Sequence, residues 1–197
     1  MHTTVFTTPV IHHFMRIIAH LYLKTMGWKC VGELPQERKF IALAGPHTSN
    51  WDFSIMLATA IVLRVNLYWM GKNSLFTNPL GWFFKWLGGI PIDRSKSNKV
   101  VDQMVTLFEE TDDLCVGLSP EGTRERCDKW KSGFYHIALQ VKVPLILAYI
   151  DYEKKSCGIG ELYNLTGQYE VDMKYIQGFY ATKVARHPEN FSGEYLE

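Results

Sequence analysis

The feature that most constrains the fold is a regular alternation of short apolar runs with longer helix-like segments, which begins at Phe40 and continues to Ile150. Strand, helix and strand at this spacing predict an α/β domain with a mixed, largely parallel sheet flanked by helices. After Tyr152 the pattern predicts a hairpin, a helix over residues 171–180 and a polar tail. The apolar runs are 40–44, 67–70, 89–92, 114–118 and 143–150, and the helical segments are 51–63, 79–87, 99–110 and 133–141.

Length and composition restrict the class of protein. The 197 residues predict a single domain over 1–197, since domains run to roughly 100–200 residues. A chain that is 47% hydrophobic and 21% charged is neither disordered nor fibrous. The formal net charge of +1 argues against a nucleic-acid partner, because domains that bind nucleic acids are usually strongly basic.

The N-terminal segment, residues 8–26, has the pattern of an amphipathic helix, with Thr8 as the cap and Pro9 at the first helical position. A basic helix with an apolar opposite face is typical of helices that lie in a membrane interface. The alternative is a surface helix packed on the protein's own core. No stretch reaches the roughly 18 apolar residues of a membrane span, so none is expected. The apolar face contains Val10, Phe14, Ile17, Ile18 and Leu21, and the basic stripe contains His13, Arg16, His20 and Lys24.

Polar residues follow the first apolar run, where ligands bind in sheets of this kind. His47 comes after the run, and Asp52 falls in the first turn of the next helix. A histidine can remove a proton from a hydroxyl, and a carboxylate on its other nitrogen fixes the tautomer and stabilises the imidazolium. This H-x4-D spacing is weak alone, because chance gives it in roughly one such sequence in four. A turn histidine and an acid that complements the helix N-terminus are the structural alternatives.

The fourth run is followed by the segment Pro120-Glu121-Gly122-Thr123-Arg124. Chance gives Glu-Gly-Thr-Arg in about two of a thousand such sequences, so this signal is much stronger. A glycine between an acid and an arginine suits a site where the backbone approaches an anionic ligand. The alternative is a surface turn with a salt bridge.

The third run ends in Asp93 and Arg94. An arginine at a strand end can hold a phosphate with two parallel N–H groups. The alternative for Arg94 is an ion pair with Asp93 or another surface acid.

Together these three strand ends resemble the glycerolipid acyltransferase family, of the lysophosphatidic acid acyltransferase type. Residues 47–52 match its H-x4-D motif, 88–94 its second motif, which ends in arginine, and 120–124 its P-E-G-T-R block. Residues 143–146 are similar to its fourth, apolar motif. The resemblance covers residues 40–150, with the motif order kept. Departures from the family pattern, which fall around the expected substrate pockets, are Pro91, Ser119 and Leu147.

The resemblance implies transfer of a fatty acyl group to a hydroxyl of a lysophospholipid such as 1-acylglycerol-3-phosphate. An acyl-CoA or an acyl-carrier-protein thioester is the implied donor, with no metal or other cofactor. His47 is implied as the general base and Asp52 as its orienting partner. The residues implied in binding or ordering the acceptor head group are Arg94, Glu121, Gly122, Thr123 and Arg124. A groove for the acyl chain, or alternatively ordinary core, is expected at Leu80, Trp82, Phe83, Trp86 and Leu87.

A lipid substrate and a basic amphipathic helix together predict a cytoplasmic protein that lies on the inner face of a membrane, with acyl carrier protein as a further candidate partner. Three other functions stay open: acyl transfer to a non-glycerol acceptor, hydrolysis of a thioester or lipid by the same His47–Asp52 pair, and a non-catalytic membrane-binding module. A serine-hydrolase mechanism is not expected, because the chain has no G-x-S-x-G motif.

Overall fold

The structure is a computed structural model that describes residues 2–93, 97–127 and 129–191. In this part of the chain seven strands form one sheet. The strands are β1 (Lys29–Val31), β2 (Lys39–Gly45), β3 (Leu67–Lys72), β4 (Gly89–Ile92), β5 (Leu114–Leu118), β6 (Leu145–Asp151) and β7 (Ser156–Tyr163). They lie in the order β1-β7-β6-β2-β5-β3-β4, and every neighbouring pair is parallel except the β6–β7 hairpin.

Helices cover both faces of the sheet. They are α1 (Ile11–Thr25), α2 (Asn50–Val62), α3 (Ser74–Thr77), α4 (Gly81–Trp86), α5 (Ser97–Glu109), α6 (Gly133–Val141) and α7 (Tyr169–Ala181), and a 3-10 turn follows at Pro188–Asn190. Along β2, Ile41 and Leu43 pack with α5, α6 and α7, whereas Phe40 and Ala42 pack with α2. A central parallel strand is therefore buried on both sides, which explains its continuous apolar run.

The predicted α/β class, with a mixed, largely parallel sheet flanked by helices, is confirmed. The predictions for 89–92, 114–118 and 133–141 match β4, β5 and α6, and the other predicted elements differ only at their ends. Three short elements of the described residues were not predicted: β1 at the sheet edge, α3 and the 3-10 turn. Each is too short to carry a periodic pattern.

The start of α1 differs from the prediction. The helix begins at Ile11, and Val10 before it has a φ of 65° and makes no side-chain cap. The hydroxyl of Thr8 is occupied elsewhere, since it donates to the Thr4 carbonyl at 2.6 Å and accepts from Trp86 Nε1 at 2.9 Å. The predicted cap at Thr8 is therefore wrong, because tertiary contacts take the side chain.

The predicted apolar face of α1 points away from the protein. The opposite face of the helix packs on α2 through Ala19 and Leu23, which are buried. The alternative of a helix packed on the core is therefore right for this opposite face and not for the apolar face. Among the described residues no helix is long and apolar enough to cross a membrane. The side chains that stay 55–64% exposed are Val10, Phe14, Ile17, Ile18 and Leu21.

The aromatic segment around α4 is also more exposed than the sequence indicated. Leu80, Trp82 and Phe83 are exposed, whereas Leu87 is buried in the core beside α2. The first three residues therefore line neither an enclosed acyl groove nor the core. The N-terminal segment crosses the C-terminal end of α4, where the Val5 N–H donates to the Trp86 carbonyl at 2.7 Å.

Candidate active site

Three parallel neighbours, β5, β2 and β6, end at the same edge of the sheet. His47 follows β2, Glu121 follows β5 and Tyr152 follows β6. Because the carboxyl ends of adjacent parallel strands meet, residues that are 74 and 100 positions apart in the chain come into contact here. The predicted clustering of polar residues after the apolar runs is observed for β2 and β5.

The N-terminus of α2 fixes the position of Asp52. Ser49 is in an extended conformation at the cap, and its hydroxyl accepts from the Trp51 N–H at 3.2 Å. The Asp52 carboxylate accepts in return from the Ser49 N–H at 2.7 Å, which completes a capping box. The structural alternative for Asp52, an acid that complements the helix N-terminus, is therefore present together with its contact to His47.

Asp52 is a buried carboxylate with donors on both oxygens. Its side chain is 2% exposed. Oδ2 accepts from the Thr48 and Ser49 N–H groups at 2.8 and 2.7 Å, and Oδ1 accepts from the Tyr152 hydroxyl at 2.6 Å. Burial opposes ionisation, but the hydrogen bonds from His47, Tyr152 and Ser49 outweigh it and hold the pKa of Asp52 below its usual value.

His47 meets this carboxylate through one ring nitrogen. Its Nδ1 lies 3.3 Å from Asp52 Oδ2, slightly beyond the ~2.6–3.2 Å expected of a catalytic hydrogen bond. The side chain is 27% exposed, whereas Asp52 is enclosed. Because Nδ1 faces the carboxylate, Nε2 is the nitrogen left to meet a substrate. We call His47 and Asp52 the dyad.

Glu121 contacts the backbone of His47, and its predicted role toward the acceptor head group stays a prediction. It is 2% exposed, and its two oxygens accept from the backbone N–H of His47 at 3.1 and 3.0 Å. Burial, together with the charge of Asp52, raises the pKa of Glu121 to about 8 against the opposing effect of that hydrogen bond. The enclosed side chain thus holds the main chain of the loop between β2 and α2, residues 46–49, which we call the dyad loop.

Gly122 and Thr123 shape the loop that carries Glu121. Gly122 has a φ of +68°, and an added Cβ would meet Lys131 Cγ at 2.9 Å, so both conformation and space favour glycine. Thr123 Oγ1 accepts from the Glu125 N–H at 3.2 Å, within its own loop. These contacts give the two residues a role in loop geometry.

Of the two predicted phosphate-binding arginines, the structure describes Arg124 only. Arg124 is exposed, and its Nη1 donates to Asn50 Oδ1 at the first turn of α2, which places it beside the dyad. Arg94 lies outside the described residues. Arg124 therefore lies beside the dyad and contacts an amide, while its predicted contact with the acceptor head group stays a prediction.

Two residues close to the dyad were not predicted. Tyr152 contacts Asp52 directly, and the Arg186 guanidinium carbon lies 5.7 Å from the Trp51 ring centroid and 6.0 Å from that of Tyr152. Tyr152 comes immediately after the last apolar run, so the same strand-end signal could have found it. Arg186 lies in the segment predicted as a polar tail, where no motif marks it.

An apolar cavity of about 50 Å³ lies between α2 and the sheet. The residues of the predicted acyl groove, 80–87, do not line it. Large strand residues such as Phe40, Leu67 and Ile146 line part of it, and small strand residues leave the gap. They are Ala42, Ala44, Gly117, Ala148 and Gly158.

Comparison with known proteins gives the fold and the site a family. The family model described as Acyltransferase matches residues 29–151, which is more than half of the chain. This chain therefore belongs to the Acyltransferase family, as the three motifs predicted.

Similar proteins carry a more specific name. The 1-acyl-sn-glycerol-3-phosphate acyltransferase of Saccharomyces cerevisiae is 26% identical over 148 residues, covering 71% of this chain and 46% of that protein. The enzyme of the same name from Escherichia coli is 26% identical over 125 residues, covering 60% and 49%. This chain spans about half the length of these curated relatives.

One solved structure has the same fold. The crystal structure of the 1-acyl-sn-glycerophosphate (LPA) acyltransferase PlsC from Thermotoga maritima superimposes with a TM-score of 0.62 at 16% identity. The match covers 89% of this chain and 82% of that one. At this identity the similarity establishes the fold.

The raised pKa of Glu121 predicts a pH-dependent stability. The pKa of about 8 in the folded protein exceeds the usual value of 4.5. Protonated Glu121 therefore contributes to the free energy of unfolding in full below about pH 4.5, and this contribution is lost as the pH rises towards 8. Glu121→Gln keeps a carbonyl for the His47 N–H but does not titrate. Measured by urea, the free energy of unfolding of E121Q relative to the wild type should rise by about 3 kcal/mol between about pH 5 and pH 8. E125Q in the same loop is the control, and a constant E121Q difference would contradict the assignment.

Proposed function

We propose that this protein transfers a fatty acyl group from a thioester donor to the free hydroxyl of 1-acyl-sn-glycerol-3-phosphate or a closely related lysophospholipid. The observation that carries the proposal is the dyad: an ionised, enclosed Asp52 beside a His47 that is open on its other side. Membership of the Acyltransferase family and the names of the curated relatives support it.

The reaction follows from the orientation of His47. A proton on Nδ1, donated to Asp52, leaves Nε2 free to take the proton of the acceptor hydroxyl. The hydroxyl oxygen attacks the thioester carbonyl, so that a C–O bond forms and the C–S bond breaks. The departing thiolate takes the proton back from Nε2. Asp52 stabilises the imidazolium that exists between these two transfers, because its negative charge is already in place.

The acceptor's phosphate is assigned to Arg124 and Arg94. Arg124 is exposed next to the first turn of α2, within the loop region of the dyad. Guanidinium groups match phosphate oxygens in geometry and charge. The donor is assigned as a thioester of coenzyme A or of acyl carrier protein, since both present the same reacting bond. No metal or redox cofactor is assigned, because the dyad and the thiolate leaving group account for each bond and proton.

A membrane surface is the proposed location of the reaction, on the cytoplasmic side where acyl thioesters are made. The apolar surface that would dock consists of the exposed α1 face together with Leu80, Trp82 and Phe83 near α4. The N-terminal segment connects these parts, through the Val5–Trp86 and Thr8–Trp86 hydrogen bonds. Exposed His13, His20 and Lys24 border the α1 face, as anionic head groups require.

The dyad predicts two variants with loss of turnover. His47→Ala should lower kcat for acyl transfer on the order of 10²–10⁴-fold, since general base catalysis contributes about that much. Asp52→Asn should keep the cap but lower kcat by a comparable factor, because the imidazolium loses its counter-charge. H136A, at an exposed histidine of α6, is the control.

Product analysis separates the open alternatives. Diacylated phospholipid from labelled thioester supports transfer, whereas free fatty acid as the main product would support hydrolysis. A folded H47A protein that transfers acyl groups at the wild-type rate would contradict the mechanism.

The arginines predict a change in acceptor affinity. Arg124→Ala and Arg94→Ala should each raise KM for a phosphorylated acceptor on the order of tenfold, with little change in KM for the donor, because a charged hydrogen bond to phosphate is lost. The control is R38A, which removes an arginine paired with Asp113 at the opposite end of the sheet. An equal rise in both KM values would show that the arginine binds the donor or supports the loop.

The apolar surface predicts membrane binding that substitution weakens. Phe14→Ser with Leu21→Ser should reduce binding to anionic vesicles on the order of 100-fold, since burying each such side chain contributes roughly 1.5–3 kcal/mol. Binding should also weaken with added salt. The control V171S changes an exposed valine of α7. Binding is measured by sedimentation with the vesicles. Equal binding of the double variant and the wild type would contradict the proposed docking surface.

A further inference from the structure

The two oxygens of Asp52 are held in different ways. Oδ2 accepts from two backbone N–H groups and faces His47 Nδ1, whereas Oδ1 accepts from the Tyr152 hydroxyl at 2.6 Å. Turning the carboxylate about its Cβ–Cγ bond moves both oxygens, so a contact at either oxygen resists the rotation. The contact from Tyr152 holds Oδ1 and adds to the two backbone contacts that keep Oδ2 facing the histidine.

Tyr152 is itself held from several directions. Its ring meets Trp28 edge-on, at 4.9 Å between centroids, and its backbone N–H donates to the Val184 carbonyl at 2.8 Å. Arg186 covers the same ring and that of Trp51. The hydroxyl therefore reaches Asp52 from a rigid frame, built from the end of β6, the start of β1 and the segment after α7.

The electrostatics keep the Tyr152 hydroxyl in its donor form. Burial and the neighbouring Asp52 anion raise the pKa of Tyr152 well above its usual range, and Arg186 only partly opposes this. A tyrosine that stays protonated donates to Asp52 at every pH at which the protein works. Its hydrogen bond in turn favours the ionised carboxylate.

We propose that Tyr152 is a positioning residue for acyl transfer, which aims the Asp52 carboxylate at His47 and is braced by Arg186. This inference rests on the proposed function of the dyad. Tyr152 lies just outside the region matched by the family model, which ends at residue 151. The residue acts through Asp52 and does not touch the reacting atoms.

Removal of the hydroxyl alone tests this role. Tyr152→Phe keeps the ring against Trp28, and should lower kcat on the order of tenfold or more while KM for donor and acceptor stays unchanged. Tyr149→Phe removes a hydroxyl from the same strand, where the ring packs on Phe179, and serves as the control. Thermal unfolding of Y152F identifies any loss that comes from unfolding.

A pH profile gives a readout that a merely structural role would not move. The titratable and charged groups around Asp52 are His47, Tyr152 and Glu121, with Arg186 behind Tyr152. The Tyr152 hydrogen bond opposes uptake of a proton by the dyad, so its removal should move the acid limb of kcat/KM to higher pH. An unchanged acid limb together with wild-type kcat would overturn the proposal.

Arg186 supplies the second arm of the experiment. Arg186→Gln should give a smaller fall in kcat than Y152F, of about two- to fivefold, with both KM values unchanged. A raised KM for either anionic substrate would show that Arg186 binds substrate, and would overturn its bracing role. An inactive wild type would reject the proposed function itself, whereas an active wild type, an inactive H47A and a wild-type-like Y152F would reject only the positioning of Asp52.

Discussion

The edge of the sheet that carries the candidate site is organised around one buried charge. An ionised carboxylate out of water is costly by several kcal/mol unless donors surround it, and Asp52 has four such donors from two parts of the chain. Two are backbone groups of the loop after β2, one is the His47 ring and one is the Tyr152 hydroxyl after β6. The requirement to satisfy this charge therefore fixes the start of α2, the dyad loop and the end of β6 relative to one another.

The second buried acid of the site is in the opposite electrostatic condition. Glu121 also binds the dyad loop, but it has fewer donors and lies near the Asp52 charge, so its pKa rises where that of Asp52 falls. The surroundings thus separate the pKa values of the two carboxylates that contact this histidine. The His47 ring therefore faces an ionised carboxylate, Asp52. The His47 backbone is held by Glu121, whose carboxyl is mostly protonated below its raised pKa of about 8.

Much of this arrangement could be predicted from the sequence, because the buried parallel strands leave apolar runs and the site residues follow them directly. His47, Asp52, Glu121 and Arg124 were found in this way and lie together. What Glu121 contacts could not be predicted, since burial depends on packing across the sheet. Arg186 was missed because its position depends on the path of the chain after α7, which carries no periodic pattern. The apolar face of α1 was identified, but its outward direction was settled only by Ala19 and Leu23 on the other side.

The membrane docking proposed for α1 would have a kinetic consequence. A helix that places its apolar side in a lipid interface confines the attached domain to a plane, so the domain meets a lipid acceptor by lateral encounter. The variable that sets the rate is then the mole fraction of acceptor within the leaflet and not its amount per volume of solution. Dilution of the acceptor with inert lipid would slow such an enzyme even at a fixed total quantity of acceptor.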